Sequence, residues 1–316
     1  MNVVWIIGSG GLLGSALSRQ ISPLTADVFQ PGRPVVWTDA ASRGETLAAG
    51  VREFSKRLTP GSRWEIYWAA GLGHMGSAPA QLESETEALN TLLREVAQDD
   101  HLRAAPGSIA FASSAGALYA GCTDDTVTEV SEVVPTTHYS IEKLKQEALL
   151  RNFHLAGTTR VLIARISTLF GPKARGRANK GLIANLARSM LNHEPVRIFV
   201  PLDTMRDYIY ADDAANAMIN TLRSMPATSP FRIKILASQR VTTVAEIIAL
   251  IGRVAHRHPR IITGATALTS KYAARITFRS CEGEDTAELY RTALHVGIAR
   301  VLESERLSFV SPNPRS

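Results

Sequence analysis

Tyr139 and Lys143 stand four residues apart in the segment HYSIEKLK, a spacing that stacks two side chains on one face of a helix. An ammonium group beside a phenol lowers the phenol pKa and can make it an acid or base that works near neutrality. The same pattern is frequent by chance on exposed helices, so it gains weight only in company. Ser113 and Ser114 provide that company in FASSAGALYAG, directly behind the apolar run 108–112. Strand carboxyl ends in open α/β sheets are where ligands bind, and a hydroxyl placed there can orient a reacting oxygen.

A second constellation is Gly8-Ser9-Gly10-Gly11-Leu12-Leu13-Gly14, immediately behind the apolar run VVWII. Gly8 permits a tight turn, Gly11 lets a pyrophosphate approach the backbone, and Gly14 lets a helix pack on its strand. The N-terminus of that helix offers free N–H groups and a positive dipole end to phosphates. A glycine triplet alone says little. Its place between a buried strand and a helix gives it meaning.

The elements that must hold these groups are legible as an alternation. Residues 3–7 (VVWII), 35–38 (VVWT), 65–70 (EIYWAA), 108–112 (SIAFA) and 160–165 (RVLIAR) read as short strands buried on both faces. Helical patterns over 12–21, 79–98 and 139–156 lie among them. The expected fold class is α/β, a Rossmann-like doubly wound parallel sheet with right-handed crossovers. Behind Gly171-Pro172 the texture changes. A cationic loop, PKARGRANKG, leads to a helix over 181–192, the runs VRIFV and RDYIY, a helix over 212–224, a strand over 233–236 and a helix over 242–256. The tail beyond gives no clear pattern, and the terminal FVSPNPRS reads as a frayed end.

Taken together, the glycine turn, the serines behind a central strand and the Tyr139–Lys143 motif resemble the short-chain dehydrogenase/reductase superfamily. The details resemble its extended branch, the NAD-dependent epimerase/dehydratase family, which acts mostly on nucleotide sugars. They are the GxxGxxG spacing, FASSAGALYAG, the interval from Ser114 to Tyr139, RISTLFGP and RDYIYADD at 206–213. The resemblance runs from residue 1 to about 255.

It implies an NAD(P)-binding domain over 1–171, completed by parts of 204–240, and a smaller C-terminal substrate-binding region from 172–203 and 241–316. The implied activity is NAD(P)-dependent epimerisation or ketoreduction of a nucleotide-diphosphate sugar through a transient ketone. In that scheme Tyr139 takes a hydroxyl proton as hydride moves to the nicotinamide, or the reverse. Lys143 binds the cofactor ribose and holds the phenol pKa down, while Ser114, preferred to Ser113, hydrogen-bonds the reacting oxygen. Gly8, Gly11, Leu12, Gly14, Ala69 and Ala70 would contact the cofactor. Asp39, placed at the end of the second strand, would accept from the adenosine ribose hydroxyls and disfavour a 2′-phosphate. That points to NAD, although Arg43 lies close enough to favour NADP and keeps it open. On the substrate side, Arg206 matches an arginine that grips the diphosphate, Thr168 stands in RISTLFGP behind the run 160–165, and Phe199 falls near the nucleobase. Lys173, Arg175, Arg177 and Lys180 sit over the expected mouth of the site. The resemblance also implies a homodimer paired through 79–98 and 139–156.

Two other classes fit parts of the pattern. A reductase of a non-sugar carbonyl in secondary metabolism would not need Arg206. A non-catalytic dinucleotide-sensing or RNA-binding relative would typically have lost the tyrosine or lysine, and both are present. The family's acidic D-[LI]-x-D segment is missing from ETLAAGVREFSKRLTPGSRW, which leaves the adenine pocket unassigned. Thr168 replaces an asparagine, and so does Glu85 or Thr86. Ser114-Ala115-Gly116 lacks the Thr-Asp-Glu of sugar 4,6-dehydratases, which argues against dehydration. The tail lacks a second phosphate-binding RxGD segment, for which only Arg275 or Arg279 offers a substitute.

Composition bounds the rest. The chain has 316 residues, 45% of them hydrophobic, with 2 Cys and a formal charge of +6. Two cysteines make no disulfide framework and show no zinc spacing, so no metal is expected. Cys122, His74 and His138 have no spacing that supports a catalytic part. The excess of 35 Lys+Arg over 29 Asp+Glu is mild and contains no long like-charge run. A small-molecule partner is expected, with no nucleic acid and no membrane. The N-terminal MNVVWIIGSGGLLG lacks a basic start and is too short to span a bilayer, which suits a cytoplasmic chain.

Overall fold

The computed structural model describes residues 1–21, 26–71, 73–172, 181–264, 275–282 and 292–310. Its main sheet has six strands: β1 (Asn2–Ile7), β2 (Ala26–Phe29), β3 (Arg63–Trp68), β4 (Gly107–Ser114), β5 (Arg160–Ile166) and β9 (Phe231–Leu236). They lie in the order β2-β1-β3-β4-β5-β9, and every pair is parallel. The order reverses between β1 and β3, and such a reversal opens a crevice at the strand carboxyl ends.

Both faces of this sheet are buried, which explains the continuous apolar runs. Val4 and Ile6 point into one cluster with Leu17 and Met218, under α1 (Leu12–Gln20) and α8 (Ala211–Ser224). Val3, Trp5 and Ile7 point into the other with Phe54, Leu89 and Trp64. That face is covered by α2 (Ala40–Ser55), α3 (Pro79–Gln98) and α6 (His138–Leu155), with short helices α4 (Asp100–Ala104) and α5 (Ala115–Leu118) at its ends. Gly50 of α2 lies against Trp5: a Cβ there would stand 2.7 Å from the indole. The glycine weakens the helix signal in the sequence and is what lets the helix dock.

One expected element is displaced. Residues 35–38 are not a strand, and the second strand is Ala26–Phe29. VVWT instead runs as irregular chain whose Trp37 packs edge-on against Trp68 at 6.1 Å. A short apolar run does not distinguish a strand from a packed loop, and here the aromatic contact accounts for its apolarity. Asp39 therefore does not end a strand. It caps α2, accepting from Ser42 N at 2.7 Å. Between β2 and β3 the described chain makes a single helix, with no further strand there to carry an acidic motif.

The remaining elements pack as a separate cluster beside the carboxyl end of the sheet. They are β6 (Thr168–Phe170), α7 (Leu182–Asn192), β7 (Val196–Ile198), β8 (Met205–Tyr210), β10 (Val241–Thr243), α9 (Val244–Ala255), β11 (Ile261–Thr263) and α10 (Leu294–Val310). β8 lies between β6 and β10, and β7 pairs with β11. Phe170, Tyr208, Tyr210, Ile247, Ile298 and Val301 fill the core of this cluster. The terminal helix α10 carries no clear sequence pattern, and it extends through Phe309 into the run read as frayed. Its Gly297 sits on Phe170, where a Cβ would come within 2.6 Å of the ring. Among the described residues no helix is long and apolar enough to cross a membrane.

Candidate active site

α6 begins where its sequence dictates. Thr137 is the N-cap, its hydroxyl accepting from Ser140 N at 3.2 Å while Ser140 Oγ accepts from Thr137 N at 3.0 Å. This reciprocal cap is worth about 1 kcal/mol and fixes Tyr139 in the first turn. Lys143 and Glu147 follow at one-turn intervals on the same face. Ser114 stands at the end of β4, and its side chain is the group that acts to lower the pKa of the Tyr139 phenol. Lys143 Nζ lies 5.9 Å from the centre of the Tyr139 ring and 4.8 Å from that of Phe111.

The electrostatics depart from expectation. Burial pushes the Tyr139 phenol up to about 12, Glu85 adds to the rise, and only the Ser114 hydrogen bond opposes it. Lys143 is 6% exposed, and its ammonium donates to the Ala112 carbonyl at 3.3 Å and to Gln146 Oε1 at 3.0 Å. Burial brings Lys143 down to about 8, against the pull of Glu85 and Glu147. Desolvation outweighs the pairing in both groups.

The two adjacent serines have separate partners. Ser113 Oγ donates to Glu147 Oε1 at 2.6 Å. The same carboxylate takes Arg165 through Nε at 3.1 Å and Nη2 at 2.6 Å, and Arg165 Nη1 donates to the Tyr119 hydroxyl at 2.5 Å. Ser113, Glu147, Arg165 and Tyr119 are all buried. Ser114 is thus the serine brought to Tyr139, and Ser113 belongs to a network beneath it. Sequence reasoning missed this network, although Glu147 repeats the Tyr139–Lys143 interval and Arg165 is a charge inside an apolar strand.

Beside this cluster, at the reversal between β1 and β3, lies a cleft of about 490 Å³. It is lined by Gly8, Gly10 and Gly11 with Ala69, Ala70 and Gly71, and by Val36, Trp37, Thr38 and Arg43. The turn needs its glycines. Gly8 has φ +90° with Ala70 N 2.6 Å from where a Cβ would stand, and a Cβ on Gly14 would fall 2.1 Å from Gly8 O. Leu12 opens α1 behind the turn and is not in the cleft lining, nor is the exposed Asp39. Glu85, unassigned beforehand, lines the cleft, accepts from Gly73 N at 2.8 Å and acts electrostatically on both Tyr139 and Lys143.

The residues expected on the substrate side lie apart from this cleft. Thr168 is exposed on β6, and Phe199 is 44% exposed just behind β7. Arg206 is part-buried on β8, where its Nη1 donates to Met205 O at 2.7 Å. Lys173, Arg175, Arg177 and Lys180 lie outside the described residues. His74 Nδ1 accepts from Gly76 N, His138 is exposed, Cys122 is part-buried, and Arg275 and Arg279 are exposed. Among the described residues no group of three or more His, Cys, Asp or Glu could hold a metal ion.

The family model described as NAD dependent epimerase/dehydratase family matches residues 4–233 of the chain. A dTDP-L-rhamnose 4-epimerase of Burkholderia thailandensis is 31% identical over 121 residues, 38% of this chain and 33% of that protein. A dTDP-4-dehydro-6-deoxyglucose reductase of Escherichia coli is 30% identical over 114 residues, 36% of each chain. The alignment therefore spans about a third of the length of the curated relatives it matches. Among solved structures, a UDP-glucose 4-epimerase of Thermus thermophilus in complex with NAD has a TM-score of 0.78 at 19% identity, over 97% of this chain and 99% of that one.

Proposed function

The chain belongs to the NAD-dependent epimerase/dehydratase family, and on that premise we propose that it is an enzyme that epimerises or reduces a nucleotide-diphosphate sugar with a nicotinamide adenine dinucleotide. The observation that carries this is Lys143 Nζ at 5.9 Å from the Tyr139 ring, one turn on along α6, beside a glycine-walled cleft. The cleft suits a dinucleotide. The turn at Gly8, Gly11 and Gly14 is packed too closely on itself and on Ala70 to admit Cβ atoms, and α1 starts directly behind it with its N-cap Gly11 in the cleft lining.

When bound there, the cofactor supplies a hydride acceptor or donor for a sugar carbon, which passes through a ketone. Gly8 and Gly11, with Ala69 and Ala70, present backbone to the pyrophosphate and the adjoining riboside, and Leu12 and Gly14 hold the turn against its helix. Tyr139 exchanges the hydroxyl proton at its phenol oxygen. Ser114 orients the reacting oxygen and stabilises the ionised phenol, since it is the hydrogen bond that lowers the Tyr139 pKa. Lys143 places its ammonium where a ribose hydroxyl can replace the Gln146 amide as a partner. Arg206 is assigned to the diphosphate, Thr168 to the substrate hydroxyls and Phe199 to the nucleobase. Arg206 would have to leave the Met205 carbonyl to do so.

That last requirement favours one competing reading, reduction of a carbonyl substrate without a diphosphate. A thermal-shift screen separates them. Nucleoside diphosphates and their sugars should raise the midpoint, because a ligand that prefers the folded state stabilises it. Stabilisation by dinucleotide but by none of the nucleoside diphosphates would leave the non-sugar substrate standing. We extend the proposal to a homodimer formed through α3 and α6, which light scattering on the purified chain tests.

A further inference from the structure

Lys143 has a neighbour on its own helix whose amide is held facing one way. An ammonium carries three donors and no acceptor. Lys143 gives one to Ala112 O of β4 at 3.3 Å and one to Gln146 Oε1 at 3.0 Å. Gln146 is 3% exposed, so its amide turns only between protein partners. With Oε1 toward Lys143, Nε2 donates to Thr86 Oγ1 of α3 at 3.1 Å. Turned over, the amide would set N–H donors against the ammonium and would need the hydroxyl hydrogen of Thr86.

Thr86 has one hydrogen to give, and Glu142 takes it. Thr86 Oγ1 lies 2.7 Å from Glu142 Oε2 and 3.3 Å from the Leu82 carbonyl, and the bond to an ionised acceptor is the stronger. The other carboxylate oxygen, Oε1, accepts from Lys145 Nζ at 2.6 Å. Glu142 is itself 6% exposed. Burial raises its pKa, yet the hydrogen bonds from Lys145 and Thr86 and the charges of Lys145 and His138 bring it below the ordinary value. It is therefore an acceptor only. The charges that act on Lys143 through space are Glu85 of α3 and Glu147 of α6. Glu142 is joined to it instead by three hydrogen bonds in series, from Lys143 to Gln146, from Gln146 to Thr86 and from Thr86 to Glu142.

We propose that Glu142 is a positioning residue for Lys143: through Thr86 it fixes the direction of the Gln146 amide and so keeps an oxygen against the ammonium while the cleft is empty. Lys143 then meets the dinucleotide already charged, and a ribose hydroxyl takes the place of Gln146. The service to the cofactor rests on the assignment of Lys143 to its ribose; the series of hydrogen bonds does not.

The test follows the Lys143 Cε resonance against pH by NMR, in the full chain labelled with ¹³C-lysine and assigned with Lys143→Met. In Glu142→Gln, Lys145 claims the amide oxygen and turns an N–H toward Thr86, which removes the fixed direction. Thr86→Val keeps the carboxylate and cuts the path, and Thr86→Ala repeats the cut with a smaller side chain. The Lys143 midpoint, about 8 in the wild type, should fall by about one pH unit in each, a tenfold loss of proton affinity. Thr86→Ser keeps the hydroxyl and should keep the wild-type midpoint. Native tryptophan emission certifies that the variants are folded. An unmoved midpoint in Glu142→Gln overturns the proposal. So does a fall confined to Glu142→Gln, which would mean that the carboxylate acts by its field alone, and so does a Thr86→Ser variant that behaves as Thr86→Val.

Trp37 and Trp68 both line the cleft, so quenching by NAD reports occupancy without any turnover. At pH 8 the NAD affinity of Glu142→Gln and Thr86→Val should drop about fivefold, following the charged fraction of Lys143, and Thr86→Ser should recover it. A wild-type chain that binds no NAD is a different result. It overturns the dinucleotide site, while the resonance of Lys143 in the empty chain still decides whether Glu142 positions it.

Discussion

Ser113 Oγ points down to Glu147 at 2.6 Å while its neighbour Ser114 faces the Tyr139 phenol, so two adjacent hydroxyls serve different layers of the molecule. The consequence is a split in mutant behaviour. Ser114→Ala should lower kcat about 10²-fold or more, since it removes a hydrogen bond that strengthens as charge develops, with little change in unfolding free energy. Ser113→Ala should cost about 1–3 kcal/mol of stability, because a buried carboxylate loses a donor, and should largely spare kcat. Steady-state kinetics and urea unfolding on both variants decide it. Equal kinetic losses would sink the division.

Glu147 and Arg165 form an ion pair at 2.6 Å with side chains about 5% exposed. Breaking it from one side leaves a buried charge alone. Glu147→Gln should therefore destabilise the chain by about 3–5 kcal/mol. Arg165→Met in the Glu147→Gln background should add much less than either change alone, a coupling that a double-mutant cycle measures.

Tyr139→Phe should cut turnover about 10²- to 10⁴-fold, the range for a positioned acid or base. Dinucleotide affinity, read by tryptophan quenching, should hold. A variant that keeps wild-type turnover would remove Tyr139 from the chemistry.

Lys143 gives a pH signature with a definite sign. Its folded pKa of about 8 lies below the ordinary 10.5. Between those values the unfolded chain holds a proton that the folded chain has released, so stability rises with pH through that window. Below about 8 both states are charged and the contribution is flat. Relative to Lys143→Met, the wild type should gain about 3 kcal/mol between pH 8 and 10.5. Parallel stability profiles for the two proteins would contradict the depressed pKa.

Gly14→Ala should weaken dinucleotide binding by at least about tenfold, because its Cβ would fall 2.1 Å from Gly8 O and force the turn open. Gly116→Ala is the control, since nothing lies within 4 Å of a Cβ there.

Much of this arrangement was legible in the residues. The apolar runs at 3–7, 108–112 and 160–165 became central strands because burial on both faces leaves a continuous signal. The Tyr139–Lys143 interval and the glycine turn needed only local geometry. What escaped was set by long-range packing. VVWT and ADVF are both short, and only the contact between Trp37 and Trp68 shows that the first is not the strand. α2 and α10 contain glycines that docking against Trp5 and Phe170 requires, so their helical patterns looked broken. Glu85 could not be ranked among the chain's charges until its helix turned it toward the cleft.

The last strand of the sheet has a further consequence, for the chain as it is made. β9 pairs with β5 along its whole length, yet it is synthesised after β6, α7, β7, β8 and α8. Until residue 236 has left the ribosome, a nascent chain carries an open hydrophobic edge at Val161–Ile166. Exposed edges of that kind recruit other strands. Stalling or truncation between β5 and β9 should therefore yield insoluble product, which a nested set of C-terminal truncations would show.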